Sequence, residues 1–157
     1  MAVQTSWPRL VRALTGLAGA PERAEDALQD ALEDALKPGV IERIERADAW
    51  LYAVAVRRLR RNRLQFRLDS ALSALRGAAA GPSIERIATL ELLSGLSGRQ
   101  REFVIARYYL DLRYRDIADQ FGVSVGTATA TVTQALKKIR ARIDANPEEL
   151  KAWKIGN

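Results

Sequence analysis

The 157-residue chain contains neither cysteine nor histidine. It therefore has no disulfide, no thiolate or imidazole metal ligand, and no Ser-His-Asp or Cys-His catalytic group. An enzyme would depend on carboxylates, lysine, tyrosine or hydroxyl groups alone, so we expect neither catalysis nor a cofactor. The sequence also lacks an apolar run long enough to cross a membrane and a recognisable secretory signal. We expect a cytoplasmic protein without membrane association.

Positive charge is abundant and unevenly distributed. The net charge is +6, from 25 lysines and arginines against 19 aspartates and glutamates. Residues 37–67 carry nine basic and three acidic side chains, and residues 99–157 carry eleven and seven. The two other stretches, 1–36 and 68–98, are net acidic. Two basic blocks predict two separate contacts with a polyanion, and the alternative is an ordinary solvated helix surface.

The spacing of apolar residues predicts an all-α fold. Apolar side chains recur every three or four residues through most of the chain, and strand-like runs are nearly absent. Pro21 suits the first turn of a helix that Pro38 and Gly39 would end. A small-residue segment ending in Gly-Pro indicates a flexible linker. We predict helical domains at 1–68 and 84–145, a linker at 69–83 and a short helical extension at 146–157.

The stretch GTATATVT at 126–133 alternates like a strand but belongs to a longer helical pattern. Ser124 can cap this helix, and Gly122 can end the preceding one. The two helices predict a helix-turn-helix, with an αα-hairpin that has no DNA role as the alternative. The predicted apolar stripe comprises Ala128, Val132, Leu136, Ile139 and Ile143. The outward residues in a DNA-binding case would be Val125, Thr127, Thr129, Ala130, Thr131, Thr133 and Gln134.

Three segments together resemble a known family. LSGRQREFVIARYYLDLRYRDIADQFGVSVGTATATVTQALKKIRARI resembles region 4 of the bacterial RNA polymerase sigma factors of the extracytoplasmic-function (ECF, group 4) type. Upstream, AEDALQDALEDAL and AWLYAVAVRRLRRNRL resemble two helices of region 2. The segments follow the family's order over residues 8–143. The resemblance implies two small helical domains and a non-catalytic subunit of RNA polymerase.

The resemblance also implies partners and binding residues. Region 2 would bind the β′ clamp helices of core RNA polymerase and recognise and help open the −10 element of promoter DNA. Region 4 would meet the β flap and the −35 element. The corresponding polymerase-binding residues are Asp26, Gln29, Asp30 and Glu33. Those for the −10 region are Tyr52, Arg57, Arg58, Arg60, Arg61 and Arg63. Those for the −35 helix are Arg113, Arg115, Val125, Thr127, Thr129, Ala130, Thr131, Gln134, Lys137 and Lys138.

The sequence departs from the family at several of these positions. Thr129, Thr131 and Gln134 stand where the family usually has lysine or arginine, and Arg113 replaces a capping serine. Threonine cannot make the paired guanine contact of arginine or neutralise a phosphate. We therefore hypothesise weak autonomous −35 recognition with an A·T-leaning or shape-based preference, and placement helped by region 2 or by a DNA-bound partner.

Other interpretations stay open. A stand-alone helix-turn-helix regulator would bind duplex DNA without polymerase, with residues 1–68 as a dimerisation or effector module. A sigma mimic would bind polymerase without supporting initiation. Tyr52 could stack on an unpaired base or belong to the core. The tail, with Leu150, Trp153 and Ile155, would either fold back on region 4 or dock a partner such as an anti-sigma factor or an activator.

Overall fold

The computed structural model describes residues 2–61 and 92–145. Arg63, the predicted linker at 69–83 and the extension at 146–157 lie outside these residues. No strand occurs among the described residues, and the predicted all-α fold is confirmed. The helices are α1 (Ala2–Ala18), α2 (Pro21–Ala35), a 3-10 turn (Ile41–Arg43), α3 (Ala47–Arg61), α4 (Gly98–Val104) continuing as a π segment (Ile105–Tyr109), α5 (Tyr114–Phe121) and α6 (Val125–Ala145).

The first three helices pack into an N-terminal unit, residues 2–61. Leu10 and Leu14 of α1 are buried against α2, whose inner face is mostly alanine around Leu28. These small side chains allow close approach of the helix backbones. Pro21 begins α2, as predicted, because the first helical turn does not need its missing amide. The outer face of α2 carries the exposed acidic residues.

The last three helices form a C-terminal unit, residues 92–145. The start of α4 is fixed by a capping box: Gln100 N–H donates to Ser97 Oγ at 3.2 Å, and Ser97 N–H donates to Gln100 Oε1 at 3.1 Å. The turn between α5 and α6 contains Gly122, whose φ of 64° favours glycine. Thr127 N–H donates to Ser124 Oγ at 3.0 Å, so the predicted cap of α6 is also present.

One side of α6 packs against α4 and α5. The predicted stripe is buried at Ala128 and Val132, half-buried at Ile139 and Ile143, and exposed at Leu136. Ala128, Val132 and Ala135 are fully buried, whereas Leu136 is 37% exposed. At 3.6 residues per turn Ala128, Val132, Ala135 and Ile139 fall within an arc of about 60°, and Leu136 lies at its edge. The prediction that Leu136 is a core residue was wrong because the small side chain of Ala135 occupies the closest contact instead.

The two units share a single hydrophobic core. The rings of Phe103 and Phe121 meet edge to face at a centroid distance of 5.0 Å, and Phe121 meets Tyr52 of α3 at 6.3 Å. Helix α3 therefore has packed neighbours on two sides, and every residue from Leu51 to Val56 is buried. None of the helices among the described residues is long and apolar enough to span a membrane.

Candidate nucleic-acid interface

The first turns of α6 expose most of the predicted −35 residues. Val125 is 48% exposed, and Thr127, Thr129, Ala130 and Gln134 are also exposed, over about 200° of the helix circumference. Thr131 is half-buried on the flank of the helix. The four predicted basic positions are also exposed, and they lie at the start of α5 and further along α6: Arg113, Arg115, Lys137 and Lys138.

Three of the threonine hydroxyl groups on α6 are already hydrogen-bonded to the helix or to its cap. Thr129 Oγ1 donates to the carbonyl of Val125 at 2.9 Å, and Thr131 Oγ1 donates to that of Thr127 at 2.8 Å. Thr127 Oγ1 lies 2.9 Å from Ser124 Oγ. A hydroxyl group has one proton, so the side chains of Thr129 and Thr131 have no further hydrogen to donate while these bonds persist.

Arg113 forms an ion pair at the position where the family has a capping serine. Its Nε and Nη2 each donate to the Asp116 carboxylate at 2.9 Å, and its backbone N–H donates to the same group at 3.3 Å. Arg46 of the N-terminal unit donates to Asp116 at 3.3 Å. The hydrogen bonds from Arg113 hold the pKa of Asp116 below its usual range, against the opposing effect of burial. Asp116 therefore accepts from the free backbone N–H at the start of α5 and connects the two units.

This carboxylate predicts a dependence of stability on pH. A group whose pKa is lowered by folding contributes stability above its unfolded pKa, and the contribution is lost as the pH falls through the folded pKa. We expect Asp116→Asn to lower the free energy of unfolding by about 1 kcal/mol at pH 7, because its main partner Arg113 is largely exposed. The free energies of unfolding of the variant and the wild type should become equal as the pH falls below about 4. Urea denaturation at a series of pH values measures both.

Asp119→Asn on the same helix is the matched control. Asp119 makes only an exposed contact of 3.9 Å with Arg115. Its replacement should change the stability much less at every pH. A stability difference for Asp116→Asn that stays constant from pH 7 to pH 3 would contradict the role given to this carboxylate.

Tyr52 does not lie on the exposed surface. It is fully buried, and its hydroxyl group donates to the Glu102 carbonyl at 2.9 Å. Burial raises the pKa of Tyr52 well above its ordinary value. In this arrangement the ring packs against Phe121 and cannot stack on a base. The structure therefore gives Tyr52 the core role that the sequence left open, as long as the two units stay together.

Three of the predicted −10 arginines are engaged within the chain. Arg57 donates to the Gln120 carbonyl at 3.1 Å, and Arg60 makes a two-bond ion pair with Glu102, with Nε to Oε1 at 2.8 Å. The hydrogen bonds that Arg60 donates to Glu102 raise the pKa of Arg60, and burial lowers the pKa of Arg57. Arg58 instead pairs with Asp34 and Asp30 of α2. Arg61 is exposed at the end of α3.

We call the contacts between the N-terminal and C-terminal units the junction. Its polar bonds join Arg46 to Asp116, Arg57 to Gln120, Tyr52 and Arg60 to Glu102, and Arg9 to the Tyr109 carbonyl. Sequence reasoning missed Glu102 and Asp116. An available signal for Glu102 was its place beside the apolar run Phe103–Ile105, where an unpaired carboxylate would be costly to bury. A cavity of about 170 Å³ lies beside the Arg60–Glu102 pair.

The predicted polymerase-binding residues lie on the outer side of α2. Asp26, Gln29 and Glu33 are exposed, and Asp30 is half-buried near Arg58. Hydrogen bonds from Lys37 and then Arg58 lower the pKa of the neighbouring Asp34 to about 2. The helix thus presents a negative surface at neutral pH. Among the described residues no cluster of acidic side chains has the arrangement of a metal site.

The comparisons with known proteins agree with this geometry. Residues 86–139, which include the helix-turn-helix, match the family model of sigma-70 region 4. These residues are similar to region 4 of the sigma-70 factors. The matched residues comprise α4, α5 and most of α6. The exposed residues from Val125 to Gln134, which we call the threonine surface, lie on the second helix of the helix-turn-helix. No curated protein matches the sequence of the chain.

A solved structure extends the likeness to both units. The chain is similar to the sigma factor RpoE of Bartonella quintana, which was crystallised in complex with the anti-sigma factor NepR. The TM-score is 0.67 and the sequence identity 22%, over 92% of this chain and 96% of the other. The likeness shows that both units share the fold of that sigma factor. Together with the region 4 match, it confirms the predicted resemblance to ECF sigma factors.

Proposed function

We propose that the chain is a non-catalytic sigma subunit that binds core RNA polymerase and directs it to promoters from the cytoplasm. The observation that carries the proposal is the region 4-like domain itself, whose α6 presents its first turns to solvent. An exposed helix that is supported from behind by two others is the arrangement with which helix-turn-helix domains enter the major groove. The fold shared with a sigma factor over both units supports the same conclusion.

The charges in the C-terminal unit suit this role. Arg113 and Arg115 at the start of α5, with Lys137 and Lys138 on α6, would contact phosphates on either side of the groove. Such contacts hold a helix in register without specifying sequence. Base contacts would come from the threonine surface between them. Region 4 would also meet the β flap of the polymerase.

The acidic outer face of α2 would bind the β′ clamp helices of core polymerase. Asp26, Gln29 and Glu33 are exposed, and no other part of the described residues covers them. Asp30 lies beside them. Their negative potential would favour a basic surface on the polymerase and raise the rate of encounter.

Recognition of the −10 element would require the junction to open. Arg57 and Arg60 donate to the C-terminal unit, and Tyr52 is buried by it. Separation of the units would free both arginines for phosphates and expose the ring of Tyr52 for base stacking. We propose that the described arrangement is a closed form and that binding to polymerase selects the open form. An anti-sigma factor or a DNA-bound activator could act by favouring one of the two.

In vitro transcription tests the proposed function. Core RNA polymerase lacking any sigma factor is mixed with the full chain and with linear duplexes whose upstream segments are randomised. We expect transcripts with defined start sites only when the chain is present, from a subset of duplexes. Co-purification of the chain with core polymerase is measured in parallel.

The outcomes separate the alternative functions. Binding to core polymerase without any transcript would identify a sigma mimic. DNA binding with no affinity for core polymerase would identify a stand-alone helix-turn-helix regulator. Either result would overturn the proposal that the chain is an initiating sigma subunit. Glu33→Lys on the exposed face of α2 is expected to weaken co-purification, whereas Glu42→Lys, outside α2, provides a charge-matched control.

A further inference from the structure

We infer that Thr129 and Ala130 make α6 select thymine methyl groups and disfavour guanine in the major groove. The inference rests on the proposed function, because it takes α6 as the helix that contacts the −35 element.

The hydroxyl hydrogen of Thr129 is already engaged within α6. Its Oγ1 donates to the Val125 carbonyl at 2.9 Å, so the hydroxyl group is turned toward its own helix. The γ-methyl group takes another of the staggered positions on Cβ and becomes the remaining group that can contact a base. The major-groove edge of guanine offers two acceptors, N7 and O6, and therefore needs donors from the protein. Thr129 has no donor to offer in this conformation.

The neighbours of Thr129 on α6 are uncharged. No lysine or arginine occurs between Val125 and Gln134, a length of roughly 14 Å along the helix axis. Ala130 is exposed beside Thr129 and carries only a methyl group, and Gly126 one turn earlier has no side chain. Small residues let the helix approach the base edges closely, and the methyl groups of alanine and threonine are suited to the C5-methyl group of thymine.

Gln134 lies at the C-terminal end of this surface. Gln134 is exposed and has both a donor and an acceptor on its amide, the pair that matches the N7 and N6 positions of adenine. The surface from Val125 to Gln134 therefore combines methyl groups, the single hydroxyl group of Thr133 and one adenine-compatible amide, without the paired donors of an arginine. We infer that its target is a run of A·T pairs in which no guanine is required.

The first experiment identifies the sequence class. The full chain with core polymerase transcribes the pool of randomised duplexes, and the templates that yield transcripts are sequenced. We expect the enriched upstream element to consist of A·T pairs at the positions protected by the C-terminal unit. The positions are identified by a footprint of the same complexes.

The second experiment tests the methyl contact. Each thymine of an enriched element is replaced by uracil, which removes the C5-methyl group and keeps base pairing. We expect at least one replacement to weaken holoenzyme binding about fourfold, the effect of one buried methyl group. Replacement of the guanines that flank the element by 7-deazaguanine should have no effect.

Two variants attribute the contact to Thr129. Thr129→Ser keeps the hydroxyl group and removes the methyl group, so it should bind the thymine duplex about fourfold more weakly and lose the response to uracil. Thr129→Val keeps a methyl group and removes the hydroxyl group, so it should still respond to uracil. Circular dichroism of both variants establishes that α6 is intact.

Failure of the inference and failure of the proposed function give different results. A guanine required at a protected position, or equal binding to thymine and uracil duplexes, would overturn the inference and leave the proposed function standing. An unchanged uracil response in Thr129→Ser would overturn the assignment to Thr129. The absence of transcripts from the whole pool would overturn the proposed function and the inference that rests on it.

Discussion

Glu102→Gln is expected to make the full-length chain bind single-stranded DNA about tenfold more tightly than wild type in low salt. Glu102 is 5% exposed and holds Arg60 across the junction through two hydrogen bonds. Glutamine keeps the shape of the side chain and removes its charge, which weakens a charge-assisted pair by about 1–2 kcal/mol. The open fraction should rise accordingly, and the apparent Kd should fall by the same factor.

The measurement is the fluorescence anisotropy of a labelled single-stranded oligonucleotide, with small-angle scattering of the free chain in parallel. Asp111→Asn is the matched control, because it changes the net charge equally. Asp111 pairs with Arg107 within the C-terminal unit and is 81% exposed. Equal gains in DNA affinity for the two variants would show that net charge, and not release of the junction, is responsible.

Tyr52→Phe is a second variant at the junction. It removes only the hydroxyl group that donates to the Glu102 carbonyl and retains the buried ring. The loss of one buried hydrogen bond costs about 1 kcal/mol. The radius of gyration should therefore increase in the same direction as for Glu102→Gln. If both variants have the radius of gyration and the DNA affinity of the wild type, the proposed closed form is wrong.

Phe103→Ala is expected to have the largest effect on stability, a loss of about 3–5 kcal/mol in the free energy of unfolding. Phe103 is fully buried in α4 and packs edge to face on Phe121 of α5. Phe121 in turn meets Tyr52, so the cavity would open where three helices and both units meet. A loss of this size is a large part of the stability of an ordinary domain.

Urea denaturation monitored by circular dichroism measures the effect. Phe103→Leu should cost less than about 1.5 kcal/mol, since it retains most of the apolar volume. Tyr108→Ala lies in the neighbouring π segment with its side chain 58% exposed, and it should be nearly neutral. A loss below about 1 kcal/mol for Phe103→Ala would mean that this ring is not part of the continuous core.

The local features of the fold were predictable because their causes are local. Ser97 with Gln100, Gly122, and Ser124 with Thr127 are short-range arrangements set by backbone amides and by the left-handed conformation of glycine. The face of α6 was predicted correctly at Ala128 and Val132. It was wrong at Leu136, since periodicity places a stripe only to within part of a turn.

The junction could not be predicted, because its partners are far apart in the sequence. Tyr52 and Glu102 are separated by 50 positions, and Arg46 and Asp116 by 70. Arginine-rich helices are equally compatible with phosphates and with carboxylates, and only the packing of the second unit decides between them. The assignment of individual −10, −35 and polymerase-binding residues stays a prediction.

The arginines of the junction give added salt two opposing effects on the free chain. Screening weakens phosphate contacts. This effect alone would make the logarithm of the DNA affinity fall with the logarithm of the salt concentration, with a slope of about one per neutralised charge. The same screening weakens Arg60–Glu102 and Arg46–Asp116, which favours the open form. For the free chain, the observed slope should therefore understate the number of phosphates bound. In the open holoenzyme the second effect is absent, so the slope should be closer to the number of phosphates bound.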